Sequence, residues 1–310
     1  MKSLICGSLA FDNIMSFDGR FSEAILADQL HKINVGFLEP HMRREFGGCA
    51  GNIAYNLKLL GGDPLIMATI GQDGEPYRDR LTQLNIAQQC IRTIDNSFTG
   101  QAFITTDADG NQITAFHPGA MSFSHLNKVA DAGKVAIGIV APDGRDGMLQ
   151  HAKHCAELDI PFIFDPGQGL PMFNGDELKA FIEQATYVAV NDYEAELLTS
   201  RTGLTLAAIA ERVSALIVTR GENGAEIFTG GEHLIIPSVK VEHVIDPTGC
   251  GDAFRAGILY GLTNGLDWAT TGRLASLMGA IKIASQGPQN HAPSRSEIEE
   301  QFEQAFSYRF

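Results

Sequence analysis

Short apolar runs that each end in a polar, turn-forming cluster, with helical patterns between them, constrain this chain more than any other feature. Residues 135–140 read as a strand and are followed by a helix over about 147–157. Residues 162–164 end at Asp165-Pro166-Gly167-Gln168, residues 187–190 at Asn191-Asp192-Tyr193-Glu194, and residues 215–219 at Arg220-Gly221-Glu222-Asn223-Gly224. Residues 4–6 read as a first buried strand, ending at Gly7-Ser8 with Asp12 just beyond. Such alternation predicts an α/β fold with a doubly wound, mostly parallel sheet flanked by helices. In these sheets ligands bind outside the carboxyl ends of the strands, where the polar clusters gather. Two helical patterns close the chain, about 268–284 and 295–305, with Gly287-Pro288 between them. No repeat or linker divides the 310 residues, so a single domain over 1–310 is expected.

Charge and missing motifs narrow the function. The formal net charge is -14 and no basic block occurs, which argues against nucleic acid and anionic membrane as partners. No apolar stretch approaches a membrane span, and residues 1–6 are too short for a signal peptide. The cysteines Cys6, Cys49, Cys90, Cys155 and Cys250 are odd in number and scattered, without Cys-x-x-Cys. Reduced thiols in a cytoplasm are expected, not a disulfide frame or a zinc site. The sequence has no Walker P-loop, no Gly-x-Gly-x-x-Gly after the first strand, no His-Glu-x-x-His and no Gly-x-Ser-x-Gly.

Asp246-Pro247-Thr248-Gly249-Cys250-Gly251-Asp252-Ala253-Phe254 carries the strongest chemical signal. A strand-like approach over 241–245 runs into Asp-Pro, and a buried helical pattern follows. Gly249, Cys250 and Gly251 thus form a turn at a helix start. There free amides and the positive end of the macrodipole favour an anion. Asp252 either caps that helix or acts as general base toward a hydroxyl attacking phosphorus. A second stretch, Gly47-Gly48-Cys49-Ala50-Gly51-Asn52, opens a helix that ends at Gly61-Gly62.

Asp-x-Thr-Gly-x-Gly-Asp-Ala-Phe resembles the C-terminal signature of the ribokinase-like, or PfkB, family of carbohydrate and nucleoside kinases. Gly-Gly-x-x-x-Asn resembles its N-terminal signature. Cys250 stands where the family more often has Ala. The resemblance spans about residues 7–287 and is nearest to bacterial nucleoside kinases of the adenosine kinase kind. It implies a ribokinase-like fold whose small β-sheet lid is formed by about 14–45 and 98–118. Residues 103–106 and 112–116 read as a hairpin around Asp109-Gly110-Asn111, and a homodimer through the lid is possible.

The implied reaction is transfer of the γ-phosphoryl group of ATP to the 5′-hydroxyl of a purine nucleoside, adenosine first. The in-class alternative is a sugar or sugar-phosphate, and a non-catalytic nucleotide-binding regulator is the reading outside the class. Asp252 is then the base and Gly249, Cys250 and Gly251 the anion hole. Asp12, Gly47, Gly48 and Asn52 hold acceptor hydroxyls. Asn191, Glu194, Thr219, Gly221 and Gly224 serve the nucleotide, with Glu194 reaching Mg²⁺ through water and Arg220 supplying positive charge. Asp246 and Thr248, with the turn at 285–287, lie where relatives bind a potassium-like cation. Cys49 replaces the Lys that ribokinases proper carry, which argues mildly against a bare sugar. Phe17, Phe37, Phe103 and Phe116 form an aromatic lid able to enclose a purine. Asp165, Gln168 and His117 remain open between a ligand role and a structural one.

Overall fold

The computed structural model describes residues 1–25, 35–38, 41–109 and 111–310. The strands are β1 (Lys2–Cys6), β2 (Ala10–Ser16), β3 (His41–Gly47), β4 (Asp63–Ile70), β5 (Ala87–Thr93), β6 (Gly100–Thr106) and β7 (Gln112–His117). They continue as β8 (Ile137–Val140), β9 (Phe162–Phe164), β10 (Tyr187–Asn191), β11 (Ala215–Thr219), β12 (Ala225–Thr229) and β13 (Glu232–Ile236). The helices are α1 (Phe21–Ala24), α2 (Cys49–Leu59), α3 (Glu75–Gln83), α4 (Arg145–Glu157) and α5 (Gly175–Gln184). They continue as α6 (Asp192–Thr202), α7 (Leu206–Ala210), α8 (Cys250–Asn264), α9 (Trp268–Ile283) and α10 (Arg295–Phe306).

The large sheet has the order β13-β12-β11-β10-β9-β8-β1-β4-β5. It is parallel from β5 to β11, and β12 and β13 pair antiparallel at one edge. The chain adds strands outward from β1 on one side and then from β8 on the other. The β1/β8 gap is therefore the switch point, where ligands bind in such sheets. The central strands are mostly apolar because both faces are covered. Leu4, Met67, Val188 and Val218 face α4 to α7; Ile5, Ile66, Ala189 and Ile217 face α2, α3, α8 and α9.

A second sheet of order β3-β2-β6-β7 forms the small lid. The hairpin expected around residue 110 is β6 and β7, paired from Gln101↔His117 to Thr106↔Gln112. Gly110 itself, with residues 26–34 and 39–40 of the first lid segment, lies outside the described residues. Ala10 pairs with both Gly47 and Gly100, so the roots of three strands share one register line. Register also sorts the faces. Asp12, Ala102 and Phe116 lie on one face; Asn13, Phe103 and Ala115 lie on the other.

The strand expected over 241–245 is absent. The sheet already ends at β13, and the segment beyond it offers no ladder. Instead Ile245 and Asp246 donate to the Ile283 carbonyl at 2.9 and 3.2 Å, which drapes the loop over the end of α9.

Packing of α8 on α9 sets where the α8 start points. A Cβ at Gly257 would stand 2.8 Å from the Ala275 nitrogen, and one at Gly261 would stand 2.6 Å from Thr271 Cγ2. The backbones approach closely because these two positions carry no side chain. Gly257→Leu is therefore expected to force the helices apart and destabilise the fold by about 1–3 kcal/mol or more. Melting temperature against the parent checks this; an unchanged value would show that the α8–α9 contact is slack.

Candidate active site

Two helix starts meet beyond the switch point, and they differ in what their amides bind. At α2 the first amides are taken. Cys49 donates to Ser8 Oγ at 3.1 Å and Ala50 to the Ser8 carbonyl at 3.0 Å. Gly48 makes that turn at φ 85°, where a Cβ would meet the Ser8 carbonyl at 2.5 Å. At α8 the turn is Gly249, at φ 81° and ψ 4°. Among the described residues no protein acceptor meets the Gly251 and Asp252 amides, and a Cβ at Gly251 would meet nothing within 4 Å. The α8 start is thus an open donor set of the kind that binds anions.

Asp252 does not cap α8; no side chain does. Its carboxylate is held from α2 instead, by the Asn52 Nδ2 amide at 2.9 Å. Asn52 is itself fixed, since its Oδ1 accepts from Gln289 Nε2 at 3.0 Å. Gln289 also donates to the Tyr77 hydroxyl at 2.9 Å, which donates to the Gly47 carbonyl at 2.7 Å. Asn52 is buried, with both ends of its amide engaged by the protein. Asn52 is thus a fixed donor to the Asp252 carboxylate. Burial pushes the Asp252 carboxyl up to about 7 against the Asn52 hydrogen bond. Asp165 adds to the rise and Arg255 opposes it. Asp12 stands over Gly47, where any side chain would collide with its carboxylate. Burial first, then Glu45 and Asp246, push it up to about 6.

Arg255 lies one turn beyond Asp252 and is buried. Its Nε and Nη2 donate to the two Asp165 oxygens, each at 3.1 Å, and Nη2 lies 4.0 Å from Glu194. Asp165 is therefore one half of a buried ion pair. Asn191 and Glu194 form a reciprocal capping box at the start of α6, with bonds of 2.7 and 2.8 Å. Burial, then Asp165, push the Glu194 carboxyl up, with Arg255 opposing. Among the described residues no group of three His, Cys, Asp or Glu could hold a metal ion. Mg²⁺ on nucleotide phosphates keeps several waters and needs few carboxylates. A Glu194 whose oxygens already accept protein donors fits a contact to that ion through water.

Clefts open on the two sides of the α8 start. One of about 610 Å³ is lined by Thr219, Gly221, Gly224, Cys250, Gly251 and Phe254 among others. It gathers three of the residues expected to serve a nucleotide, Thr219, Gly221 and Gly224, while Asn191 and Glu194 do not line it. Arg220 pairs with Glu226 at 2.6 Å. The positive charge expected there is thus partnered within the protein. The other cleft, of about 420 Å³, lies under the lid between Ile14, Arg43 and Ile104 and the loop Asp246 to Thr248. Both volumes fall in the range typical of small-molecule sites, roughly 300–1,000 Å³. None of the four lid aromatics lines this cleft. Phe17 and Phe37 pack on each other and on Phe21 at 4.8 to 6.0 Å, and Phe103 is on the far face. Phe116 shares the face of Asp12. Gln168 is exposed after β9, and His117 sits exposed at the end of β7.

Comparison with known proteins decides what family this site belongs to. Residues 13–295 match the pfkB family carbohydrate kinase pattern. The chain belongs to the pfkB family of carbohydrate kinases. The nucleoside kinase of Methanocaldococcus jannaschii is 30% identical over 307 residues, 98% of this chain and 97% of that one. The solved nucleoside kinase of Burkholderia thailandensis with inosine is 57% identical. Its TM-score is 0.92, covering 99% of this chain and 100% of the other. A further structure of that protein, with ADP and inosine, is 59% identical with TM-score 0.88, covering 99% and 97%. The architecture is accordingly the ribokinase-like α/β fold with a small separate sheet.

Within this pfkB kinase, four residues of the site escaped the sequence reading: Ser8, Arg255, Gln289 and Lys282. Arg255 and Lys282 carried a signal, each being a lone charge within an apolar helical run. Ser8 and Gln289 carried none, since hydrogen-bond partners 41 and 237 residues away are invisible in a pattern. Arg255→Met leaves Asp165 buried without its partner and is expected to destabilise by about 3–5 kcal/mol. Adding Asp165→Leu should restore much of that loss. Melting temperatures of the two variants test this, and a double variant no better than the single one refutes the pairing argument.

Proposed function

We propose that the chain transfers the γ-phosphoryl group of ATP to the 5′-hydroxyl of a purine nucleoside, with Asp252 as general base. One observation carries the reading. A carboxyl raised to about 7 is held by Asn52 beside an open set of helix-start amides, between two clefts. A base with that value is half-ionised near neutral pH and takes the hydroxyl proton as the hydroxyl attacks phosphorus. Of the expected hole residues, Cys250 has its amide on the Pro247 carbonyl at 3.2 Å, so the open amides of Gly251 and Asp252 beside the Gly249 turn are the ones that stabilise charge on the transferred group. Mg²⁺, when bound, neutralises the donor phosphates, with Asn191 and Glu194 on the side where it would sit. Asp12, over Gly47 and Gly48, serves the acceptor hydroxyls, and the Thr219 to Gly224 turn serves the nucleotide. The inosine bound by the Burkholderia thailandensis kinase supports a purine nucleoside, and adenosine remains the first candidate. ADP release measured with adenosine, inosine, ribose and fructose 6-phosphate tests the reading. Turnover confined to the sugars would overturn it.

Asp252→Asn keeps size and the Asn52 contact but removes the base. The rate constant kcat should fall by about 10²–10⁴-fold while the melting temperature hardly moves. A variant within a few-fold of the parent would remove Asp252 from catalysis. Because the base acts unprotonated, kcat/KM of the parent should rise with pH along a limb centred near 7. Asn52→Ala removes the bond that holds this value down, so the limb should move to higher pH. A pH–rate profile for both proteins checks the sign.

The acceptor should be held through vicinal ribose hydroxyls at Asp12. A site built to bond a hydroxyl rejects its absence, so 2′-deoxyadenosine should lose kcat/KM by about ten-fold or more. Equal values for adenosine and its deoxy analogue exclude Asp12 from that role.

A further inference from the structure

Lys282 lies in the last turn of α9 and exposes no surface. Its ammonium donates to the Asp246 carbonyl at 2.7 Å and to the Ser285 carbonyl at 2.9 Å. Among the described residues no carboxylate comes within ion-pair distance of it. A buried charge is retained only where dipoles or counter-charges replace its water. Here the replacement is main-chain carbonyl oxygen, the donor type that also strips water from potassium ions. The two carbonyls belong to the loops expected to hold a monovalent cation. Asp246 begins the run into Gly249–Gly251, and Ser285 follows α9. The remaining donor of that expected site is equally committed. The Asp246 carboxylate accepts the Thr248 amide at 2.9 Å and the Gly287 amide at 2.9 Å. The Asp246 and Ser285 oxygens of the set, though not those of Thr248, already meet donors of the chain itself, which leaves too few free oxygens there to replace the water of an added potassium ion.

We infer that the Lys282 ammonium is the built-in monovalent cation of this loop, holding the anion-hole segment in place without exchangeable potassium. The inference rests on reading Gly249–Gly251 as the anion hole. An ammonium and a potassium ion are close in size and both suit carbonyl oxygens. The tether makes the cation permanent, so the loop is formed at any potassium concentration. Removing the ammonium should leave two buried carbonyls facing an empty space, which a free cation can then fill.

The experiment compares potassium chloride with choline chloride at equal ionic strength. Melting of the nucleotide-free parent should be the same in both salts, and so should its kcat with adenosine and MgATP. Lys282→Met should melt lower in choline chloride and recover saturably as potassium chloride replaces it. A parent whose kcat rises several-fold on adding potassium would overturn the inference, because an exchangeable site would then remain. Equal melting of Lys282→Met in the two salts would overturn it as well. If that variant does not fold, the parent in the two salts still decides. A protein inert toward every nucleoside would sink the kinase reading, while the melting comparison would still judge this one.

Discussion

A single hydrogen bond, from the Asn52 amide to the Asp252 carboxylate, joins two helix starts 200 residues apart in sequence. Everything else at the site depends on that junction. The α2 start is closed by Ser8, so it presents a side chain; the α8 start is open, so it presents main-chain amides. One helix thus holds the Asp252 carboxylate and the other supplies the amide donors. Gln289 and Tyr77 hold Asn52 in turn, and their chain of contacts ends on the Gly47 carbonyl beneath Asp12. These bonds restrain the Asn52 amide and, through it, the Asp252 carboxylate.

Charge poses the harder problem. The protein carries a net -14 and must receive a polyanion. Among the described residues only two lysine or arginine side chains are buried, Arg255 and Lys282; Arg255 lies on α8, and Lys282 donates to the Asp246 carbonyl at the head of the turn before it. Neither is free to touch a ligand. Arg255 neutralises Asp165 and approaches Glu194, while Lys282 is taken up by carbonyls. The open amides at the α8 start add positive partial charge there, alongside Arg43 on one cleft and Lys240 on the other.

Much of this was legible in the sequence. The parallel sheet followed from apolar runs ending in polar clusters, and the hairpin of the lid from Asp109-Gly110-Asn111. The Gly249 turn and the Gly48 turn followed from glycines at helix starts. What failed did so for physical reasons. Residues 241–245 have strand composition but pair with no strand; Ile245 bonds to the end of α9 instead, and Val244 and Ile245 are exposed. Asp252 has the residue type of a cap but is claimed by a partner from α2. The aromatic lid was read from composition, and only register separates Phe116 from Phe103. Long-range partners and strand faces are tertiary facts that local pattern does not hold.

The register line through Ala10, Gly47 and Gly100 carries a mechanical consequence. Three strands leave the body of the protein at one level, and two of the three residues there have no side chain. The small sheet is therefore a stiff plate on an axle, with little steric resistance where it bends. Its seven-residue strands reach roughly 20 Å beyond the axle at about 3.3 Å per residue. A swing of about 10° thus carries the free edge some 3–4 Å by simple leverage.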